Sequence, residues 1–373
     1  SHGLIDYNVF MKIKDVIKVI EAEMPLVYSE SWDNSGIQFG NPDNEVKKII
    51  TALDFNEDVL AEAIEKKANL IITHHPFIFN PIKKLVSTNF ESNLIIMALK
   101  NDITLYAAHT NFDNGKDGLN YCVGKLLGLN DISVLDPTKM PMYNLVTYIP
   151  VDKLEQVREA LFSVGIGKIG NYDSCSYSNV GEGTFRALGG ANPYVGKIDE
   201  LHCEKEVRFE AVVPYHLKNK AVDALLKAHP YEQPAYSVIE LDNRYEMAGS
   251  GVIGNLENEL DEMEFINIVK TVLGAKMLRT SKLTKKKISK VAICTGSGAF
   301  LLPKAISAGA DAFVTGDVKY HDFYVPANKL LLIDAGHYET EIFAKRWFHQ
   351  ILKLNFDGVD IEETSTETPV NYF

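Results

Sequence analysis

Cysteines and long apolar runs are both scarce in this sequence. The four cysteines of the 373-residue chain lie far apart and form no CxxC pair, which argues against a disulfide framework and favours a reducing cytoplasm. No stretch approaches the roughly 18 uninterrupted apolar residues that are needed to span a bilayer. We therefore expect a cytoplasmic protein without a membrane segment.

Positive charge is also in short supply. Lys and Arg number 38 against 50 Asp and Glu, which gives a net charge of −12. Binding to DNA or RNA is driven largely by cationic neutralisation of phosphates, so this balance argues against a nucleic-acid partner. The first residues contain no basic segment followed by an apolar core, so they do not resemble a secretory signal, and we assign no function to Ser1 and His2.

Strand-like apolar runs alternate with helical patterns over most of the chain. A strand at 48–53 precedes a helix at 56–67, and strands at 70–73 and 103–108 are separated by a further helix. Such alternation predicts an α/β fold with parallel or mixed sheets and flanking helices. Ligand sites in such sheets collect at the carboxyl ends of the strands.

The pattern changes between residues 141 and 243. There the order βαββαβ predicts an α+β, ferredoxin-like domain of about 100 residues. A chain of 373 residues exceeds the size of most single cores, so about two domains are expected. We predict a host domain formed by residues 11–140 and 244–373 and interrupted by this insert, because candidate metal ligands lie on both sides of it.

Two adjacent histidines, His74 and His75, stand where an apolar strand ends before Pro76. Neighbouring side chains on a strand point to opposite faces, but at a strand exit both can reach one cleft, where each can meet a different metal ion. The alternative is one buried structural histidine and one exposed histidine. The pair taken alone favours neither interpretation.

Two further segments place potential ligands after apolar strands. Asp113 offers a carboxylate, although Asp-Asn-Gly is a common turn, and for Asp113 alone the turn is the stronger interpretation. His109 is either a hydrogen-bond partner of a metal ligand or a strand-end histidine without a chemical role. His337 and Glu341 are four residues apart and can converge on one centre from one helix face. For this pair we favour a functional role over the alternative, in which the acidic residues only stabilise the N-terminus of a helix.

Taken together, these segments supply three histidines and two carboxylates, with no cysteine near them. Such a set suits a borderline divalent metal such as zinc, iron or manganese. Five ligands are too many for one catalytic zinc and suit a pair of ions, which can activate water and polarise a substrate. The predicted ligands are His74, His75, Asp113, His337 and Glu341.

Two segments of the second half are weaker candidates. One is a Gly-rich loop formed by Thr295, Gly296, Ser297 and Gly298. It follows a strand and precedes a helix, as a phosphate cradle does, but it lacks a GK[ST] ending, so a tight turn is the stronger interpretation. In the other, Asp317 and His321 either line the cleft as acid/base groups or belong to an ordinary loop.

Several motifs resemble those of the Nif-three-like family, whose members are labelled dinuclear-metal-centre proteins or GTP cyclohydrolase type 2 homologues. The motifs are ESWDNSG at 30–36, THHP at 73–76, HTNFD at 109–113, CTGSG at 294–298, GADAFVTGD at 309–317 and DAGHYETE at 334–341. The insert, with AHPYEQPA at 228–235, resembles the extra domain of longer bacterial members. That domain is similar in fold to PII and CutA-type proteins.

This resemblance implies that the five predicted ligands hold two divalent metal ions per chain, with zinc preferred over iron or manganese, and that Glu341 bridges them. It also implies a toroidal homohexamer whose metal sites face an internal cavity that the inserts cap. The implied activity is hydrolysis of a small, nucleotide-like substrate, for example GTP ring opening. His109 or His321 would then transfer protons, and the amides of residues 295–298 would hold an anionic group.

A regulatory or scaffold protein is the alternative. In that case the metals hold a hexamer together, and the PII-like insert binds a small ligand or a partner. A transcription adaptor, which the family name suggests, is disfavoured by the acidic balance and the absence of a basic stripe. The main expectation is therefore a metal-dependent hydrolase.

Overall fold

The computed structural model describes residues 11–371, which form two compact units. One unit contains the chain on both sides of the other, and the interrupting unit is Pro137–Met247. Among the described residues, no helix combines the length and the apolar character needed to cross a membrane.

The first sheet of the discontinuous unit has five short strands. They are β1 (Gly36–Phe39), β2 (Ile49–Ala52), β3 (Leu70–Thr73), β4 (Thr104–Ala107) and β15 (Ile361–Glu363). Their order is β1-β4-β3-β2-β15, and all neighbours are parallel except β1, which runs antiparallel to β4. The accompanying helices are α1 (Ile13–Glu23), α2 (Glu57–Glu65), α3 (Phe90–Lys100), α4 (Thr110–Asp113) and α5 (Leu119–Leu126).

The second sheet of the same unit has six strands. They are β5 (Leu129–Pro137), β10 (Gly249–Asp261), β11 (Arg279–Thr280), β12 (Lys287–Ile293), β13 (Ala312–Thr315) and β14 (Leu331–Asp334). In the order β11-β14-β13-β12-β10-β5, the three strands β12, β13 and β14 are parallel. The helices of this part are α8 (Glu262–Val272), α9 (Leu302–Ser307), α10 (His337–Glu341) and α11 (Phe343–Asn355).

The interrupting unit is a four-stranded antiparallel sheet with two helices. Its elements are β6 (Pro141–Pro150), α6 (Leu154–Ser163), β7 (Tyr177–Arg186), β8 (Leu201–Pro214), α7 (Lys218–Ala228) and β9 (Tyr236–Arg244). The order β7-β8-β6-β9 places the first strand of the βαββαβ unit between its third and fourth, as in ferredoxin-like domains. The predicted fold class is confirmed.

Five of the parallel strands are buried along their whole length. Every residue of β2, β3, β4, β13 and β14 is shielded from solvent, as expected when helices cover both faces of a sheet. On α1, the apolar residues Ile13, Val16, Ile17 and Ile20 recur at helical spacing and pack into the same core. Full burial of such a side chain contributes about 1.5–3 kcal/mol, so these elements form a firm support for the loops that follow the strands.

The long strand β10 leads directly into a helix. β10 continues to Asp261, and α8 begins at Glu262. Asp261 is its N-cap, and its backbone N–H donates to Glu264 in a capping box. Glycines and acidic residues dominate β10, so neither the alternation nor the apolar run of a buried strand is present.

Candidate metal centre

The predicted ligands lie at the carboxyl ends of parallel strands. His74 and His75 directly follow β3, and Asp113 ends α4, the short helix that follows the neighbouring strand β4. His337 and Glu341 begin and end α10, which follows β14. The order of the first sheet explains why the segments after its neighbouring strands β3 and β4 lie together. The segment after β14 comes from the second sheet and completes the cluster.

Glu341 lies at the centre of the cluster. Its Oε2 is 2.8 Å from His75 Nε2 and 2.9 Å from His337 Nε2, while its Oε1 is 3.8 Å from His74 Nε2. Asp113 Oδ1 in turn is 3.6 Å from His74 Nε2. The five side chains therefore form two groups, His74 with Asp113 and His75 with His337, and one oxygen of Glu341 faces each group.

His74 shows that this cluster fits a metal ion. Its side chain is fully buried, and its Nε2 has no hydrogen-bond partner among the described residues. Its Nδ1 is 2.9 Å from the carbonyl oxygen of Ala108. A carbonyl oxygen can only accept a hydrogen bond, so Nδ1 is the donor. In the neutral form of such a ring, Nε2 has an unshared electron pair, which here faces the carboxylates. Leaving a buried polar atom unpaired costs about 1–3 kcal/mol, which coordination of a cation would offset.

The other imidazoles have outer carboxylate partners, as metal-binding histidines commonly do. The Nδ1 to carboxylate distances are 2.7 Å for His75 and Asp54, 2.7 Å for His337 and Asp317, and 2.8 Å for His109 and Asp33. Each contact turns Nε2 toward the cavity. The sequence suggested Asp317 as a cleft residue, but it did not identify Asp33 or Asp54. The only signal for Asp54 was its position just beyond a strand that neighbours β3.

The pKa shifts show that the cluster favours positive charge. Burial lowers the pKa of His75, but Asp54 and Glu341 outweigh burial and raise that pKa to about 10. Burial likewise disfavours the charged form of His337, yet Glu341 and Asp317 raise its pKa to about 9. Burial also opposes ionisation of Glu341, but the contacts from His337 and His75 hold its pKa well below the usual range. A divalent cation would satisfy the same demand for positive charge.

Local packing holds the carboxylates in place. Phe112, the residue before Asp113, is buried against Phe348 at a ring-centroid distance of 5.1 Å and so anchors the short α4 helix in the core. Asp317 has a φ of 52°, an uncommon left-handed conformation for a non-glycine residue. In this conformation its Oδ2 accepts hydrogen bonds from both His337 Nδ1 and Ser297 Oγ.

His109 lies beside the two ligand groups. Its ring centroid is 5.2 Å from that of His74 and 5.4 Å from that of His75. Its partner Asp33 has a fully buried side chain. Burial raises the pKa of Asp33, but the hydrogen bonds from His109, Thr110 and Ser35 outweigh burial and hold the pKa well below the usual range. Asp33 therefore stays ionised and orients His109.

His321 is not brought to this cavity. It lies on an exposed 3-10 turn, Tyr320–Tyr324, and its ring packs edge-on against Tyr320 rather than against the ligand groups. It is not among the residues that line the cavity. The strand that precedes it ends at Thr315, and the intervening turn carries His321 outward while Asp317 turns inward. The structure therefore does not bring His321 together with the predicted ligands.

The Gly-rich loop uses its amides internally. Thr295 N donates to Asn120 Oδ1 at 2.8 Å, Gly296 N to Thr340 Oγ1 at 2.9 Å, and Gly298 N to Thr315 Oγ1 at 2.9 Å. These three amides are therefore not free to hold an anion, as the expected cradle would require. The loop lies against Glu341 instead, and Thr295 and Ser297 line the cavity.

The cavity above the ligands has a volume of about 450 Å³. Its walls include three exposed aromatic side chains, Trp32, Phe79 and Phe300, together with Glu30 and Asn114. A space of this size suits a small molecule with one or two rings. Candidate metal ligands therefore lie in the wall of this cavity and not on a flat surface.

We expect the replacement of Asp54 with alanine to weaken metal binding by about ten- to hundredfold, because outer partners of metal-binding histidines typically contribute that much. His75 would keep its Nε2 but lose the carboxylate that orients its ring. Competition with a chelator of known affinity measures the change. Glu65→Ala, which removes an exposed carboxylate of α2, is the control, and equal affinity in both variants would contradict the assigned role.

The chain is similar to known proteins along almost its full length. The model of the family Duf34/NIF3 (NGG1p interacting factor 3) matches residues 11–369. The chain is 38% identical over 361 residues to a protein of Halalkalibacterium halodurans named GTP cyclohydrolase 1 type 2 homolog, covering 95% of this chain and 96% of that one. It is 35% identical over 363 residues to the Bacillus subtilis protein of the same name, again covering 95% of this chain and 96% of that one.

Solved structures show the same relationship. A Bacillus cereus protein related to NIF3 superposes with a TM-score of 0.87 at 35% identity, covering 98% of this chain and all of that one. A Staphylococcus aureus protein superposes with a TM-score of 0.75 at 30% identity, covering 97% and 99%. The expected family is confirmed over almost the full length, and the chain belongs to the Duf34/NIF3 family.

Proposed function

We propose that this protein is a hydrolase with a dinuclear centre of divalent metal ions that acts on a small, nucleotide-like substrate. The observation that carries the proposal is the division of five ligands into two groups that share Glu341. A carboxylate shared between one group with nitrogen and oxygen donors and a second group with nitrogen donors suits a pair of ions.

His74, Asp113 and Glu341 would hold one ion, and His75, His337 and Glu341 the other. Nitrogen and carboxylate donors favour zinc, with iron or manganese as alternatives. When bound, the pair supplies an activated water and a Lewis acid. Apart from Glu341, each ion would have two protein ligands, which leaves positions for water and substrate. Saturated structural zinc sites, by contrast, have four protein ligands.

His109 is the residue best placed to move a proton. Asp33 fixes its Nδ1, so that Nε2 faces the cavity that Trp32 and Phe79 border. The relatives named GTP cyclohydrolase 1 type 2 homolog make ring-opening hydrolysis of a purine nucleotide the first reaction to test. The homohexamer that the family resemblance implies stays a prediction.

We expect the purified protein to contain about two transition-metal ions per chain, and His75→Ala to lose at least one of them together with any turnover. His75 supplies a nitrogen ligand to the group that also contains His337 and Glu341, and the methyl group of alanine cannot replace that ligand. Elemental analysis measures the metal, and a panel of GTP, cyclic nucleotides and phosphoesters measures turnover. His321→Ala, which removes an exposed imidazole outside the cavity, should keep both. A native protein without metal would overturn the proposal.

A further inference from the structure

We propose that Arg279 is a positioning residue for one of the two ligand groups. Through Asp334 it locks together the two turns that carry His337 and its outer partner Asp317, and so fixes the direction of the His337 ring. The inference deepens the proposed function and rests on it for the presence of a metal ion at His337. The contacts that carry the inference are made by residues outside the predicted ligand set.

Asp334 joins the two turns with its two carboxylate oxygens. It is the last residue of β14, and it is only 4% exposed. Its Oδ1 accepts a hydrogen bond at 3.1 Å from the backbone N–H of Gly336, which precedes His337. Its Oδ2 accepts one at 3.1 Å from the backbone N–H of Val318, which follows Asp317. One buried carboxylate therefore holds a chain neighbour of each member of the ring–carboxylate pair.

Arg279 closes this arrangement from the neighbouring strand. In the antiparallel pair of β11 and β14 it lies directly opposite Asp334. Its Nη2 donates to Asp334 Oδ2 and, at 2.9 Å, to the carbonyl oxygen of Val318. Its guanidinium carbon lies 5.4 Å from the ring centroid of Phe323, a distance that suits a cation–π contact. Both backbone polar groups of Val318 are therefore held, one by Asp334 and the other by Arg279.

The two turns also meet through their backbones. A Cβ built at Gly316 would lie 2.8 Å from the carbonyl carbon of Gly336 and 2.8 Å from the backbone nitrogen of His337. There is no room for a side chain between the turns at this point, so a shift of one turn is passed directly to the other. Across this contact, Asp317 Oδ2 lies 2.7 Å from His337 Nδ1.

The importance of Arg279 comes from the burial of its partner. An ion pair between two exposed side chains contributes little, and the Arg279 side chain is 55% exposed. The Asp334 side chain, however, is only 4% exposed, and loss of its charged partner would leave a buried carboxylate with backbone amides as donors. We expect the two turns to loosen in that case. The group of His74 and Asp113 follows strands of the first sheet and should be unaffected.

The experiment is a titration of the metal-free, full chain with Co²⁺ in competition with a chelator, followed by the absorption of the bound ion. The phase that His337→Ala removes belongs to the group of His75 and His337. We expect Arg279→Gln to weaken this phase by about tenfold, the lower end of the effect of outer partners of metal-binding histidines, and to leave the other phase unchanged. Lys282→Gln, which removes an exposed cation just beyond β11, is the control.

A conservative variant separates positioning from packing. Arg279→Lys should recover most of the Co²⁺ affinity, because a single nitrogen of Arg279 makes both contacts and an ammonium group has three donors. A lysine variant that binds no better than the glutamine variant would overturn the proposal. Equal losses in both phases of Arg279→Gln, or no loss in either phase, would overturn it as well.

Hydrogen exchange of the metal-free protein tests the same contacts without a metal ion. In Arg279→Gln the amides of 316–318 and 334–337 should exchange about tenfold faster, whereas those of 108–114 should keep their rates and show that the fold persists. Unchanged exchange in both turns would overturn the proposal. An unmodified protein that binds no Co²⁺, together with faster exchange in the variant, contradicts the metal centre and leaves the coupling of the two turns standing.

Discussion

Replacement of Glu341 with glutamine should remove both metal ions at once, lowering the content from about two ions per chain to well below one. Each oxygen of Glu341 faces one of the two ligand groups, at 2.8 and 2.9 Å from His75 and His337 on one side and 3.8 Å from His74 on the other. Glutamine keeps the size of the side chain but replaces one oxygen with an NH₂ donor, and it carries no charge.

Elemental analysis and a chelator titration of Glu341→Gln measure this effect, and thermal unfolding shows whether the fold persists. The comparison with His75→Ala is informative, because that variant disturbs one group and should keep part of the metal. Glu65→Gln removes a carboxylate from the surface of α2 and serves as the control. If Glu341→Gln kept one full ion per chain, Glu341 would not be shared between the two groups.

The convergence of these side chains was predictable because the histidines and carboxylates all follow buried parallel strands. Runs such as 70–73 and 331–334 begin with three apolar residues and are buried at every position, which is the pattern of strands covered on both faces. Their carboxyl ends must converge at sheet edges, so the residue types found there reveal the site. The His74–His75 pair is ambiguous when taken alone, and in the structure each of its rings lies in a different group around Glu341.

The outer partners could not be predicted in the same way. Asp33 lies in a turn, and its role depends on a hydrogen bond to His109, 76 residues away. The outward position of His321 could not be predicted for a related reason, since the direction of a turn after a strand is set by tertiary contacts that leave no periodic signal. The loop at 295–298 has the glycines of an anion cradle, but the partners that occupy its amides come from α5, β13 and α10.

The glycine at 296 leaves room for the carboxylate of Glu341, and replacement with alanine tests whether that room is needed. Its φ is +60°, and a Cβ built there would lie 2.1 Å from Glu341 Oε1 and 3.0 Å from its Cδ. The carboxylate has little freedom to retreat, because its other oxygen is held by His75 and His337. Gly296→Ala should therefore displace the Glu341 oxygen that faces His74 and Asp113, and metal should be lost from that group first.

The backbone alone also makes alanine unfavourable at a left-handed position, by about 1–2 kcal/mol in the free energy of unfolding. Gly274→Ala separates the two effects, since Gly274 has a φ of +64° but no atom within 4 Å of its Cβ position. Chemical denaturation should show that both variants lose stability, whereas elemental analysis should show that only Gly296→Ala loses metal. Full metal content in Gly296→Ala would mean that Glu341 can move without consequence, which is incompatible with a carboxylate that must hold two ions in place.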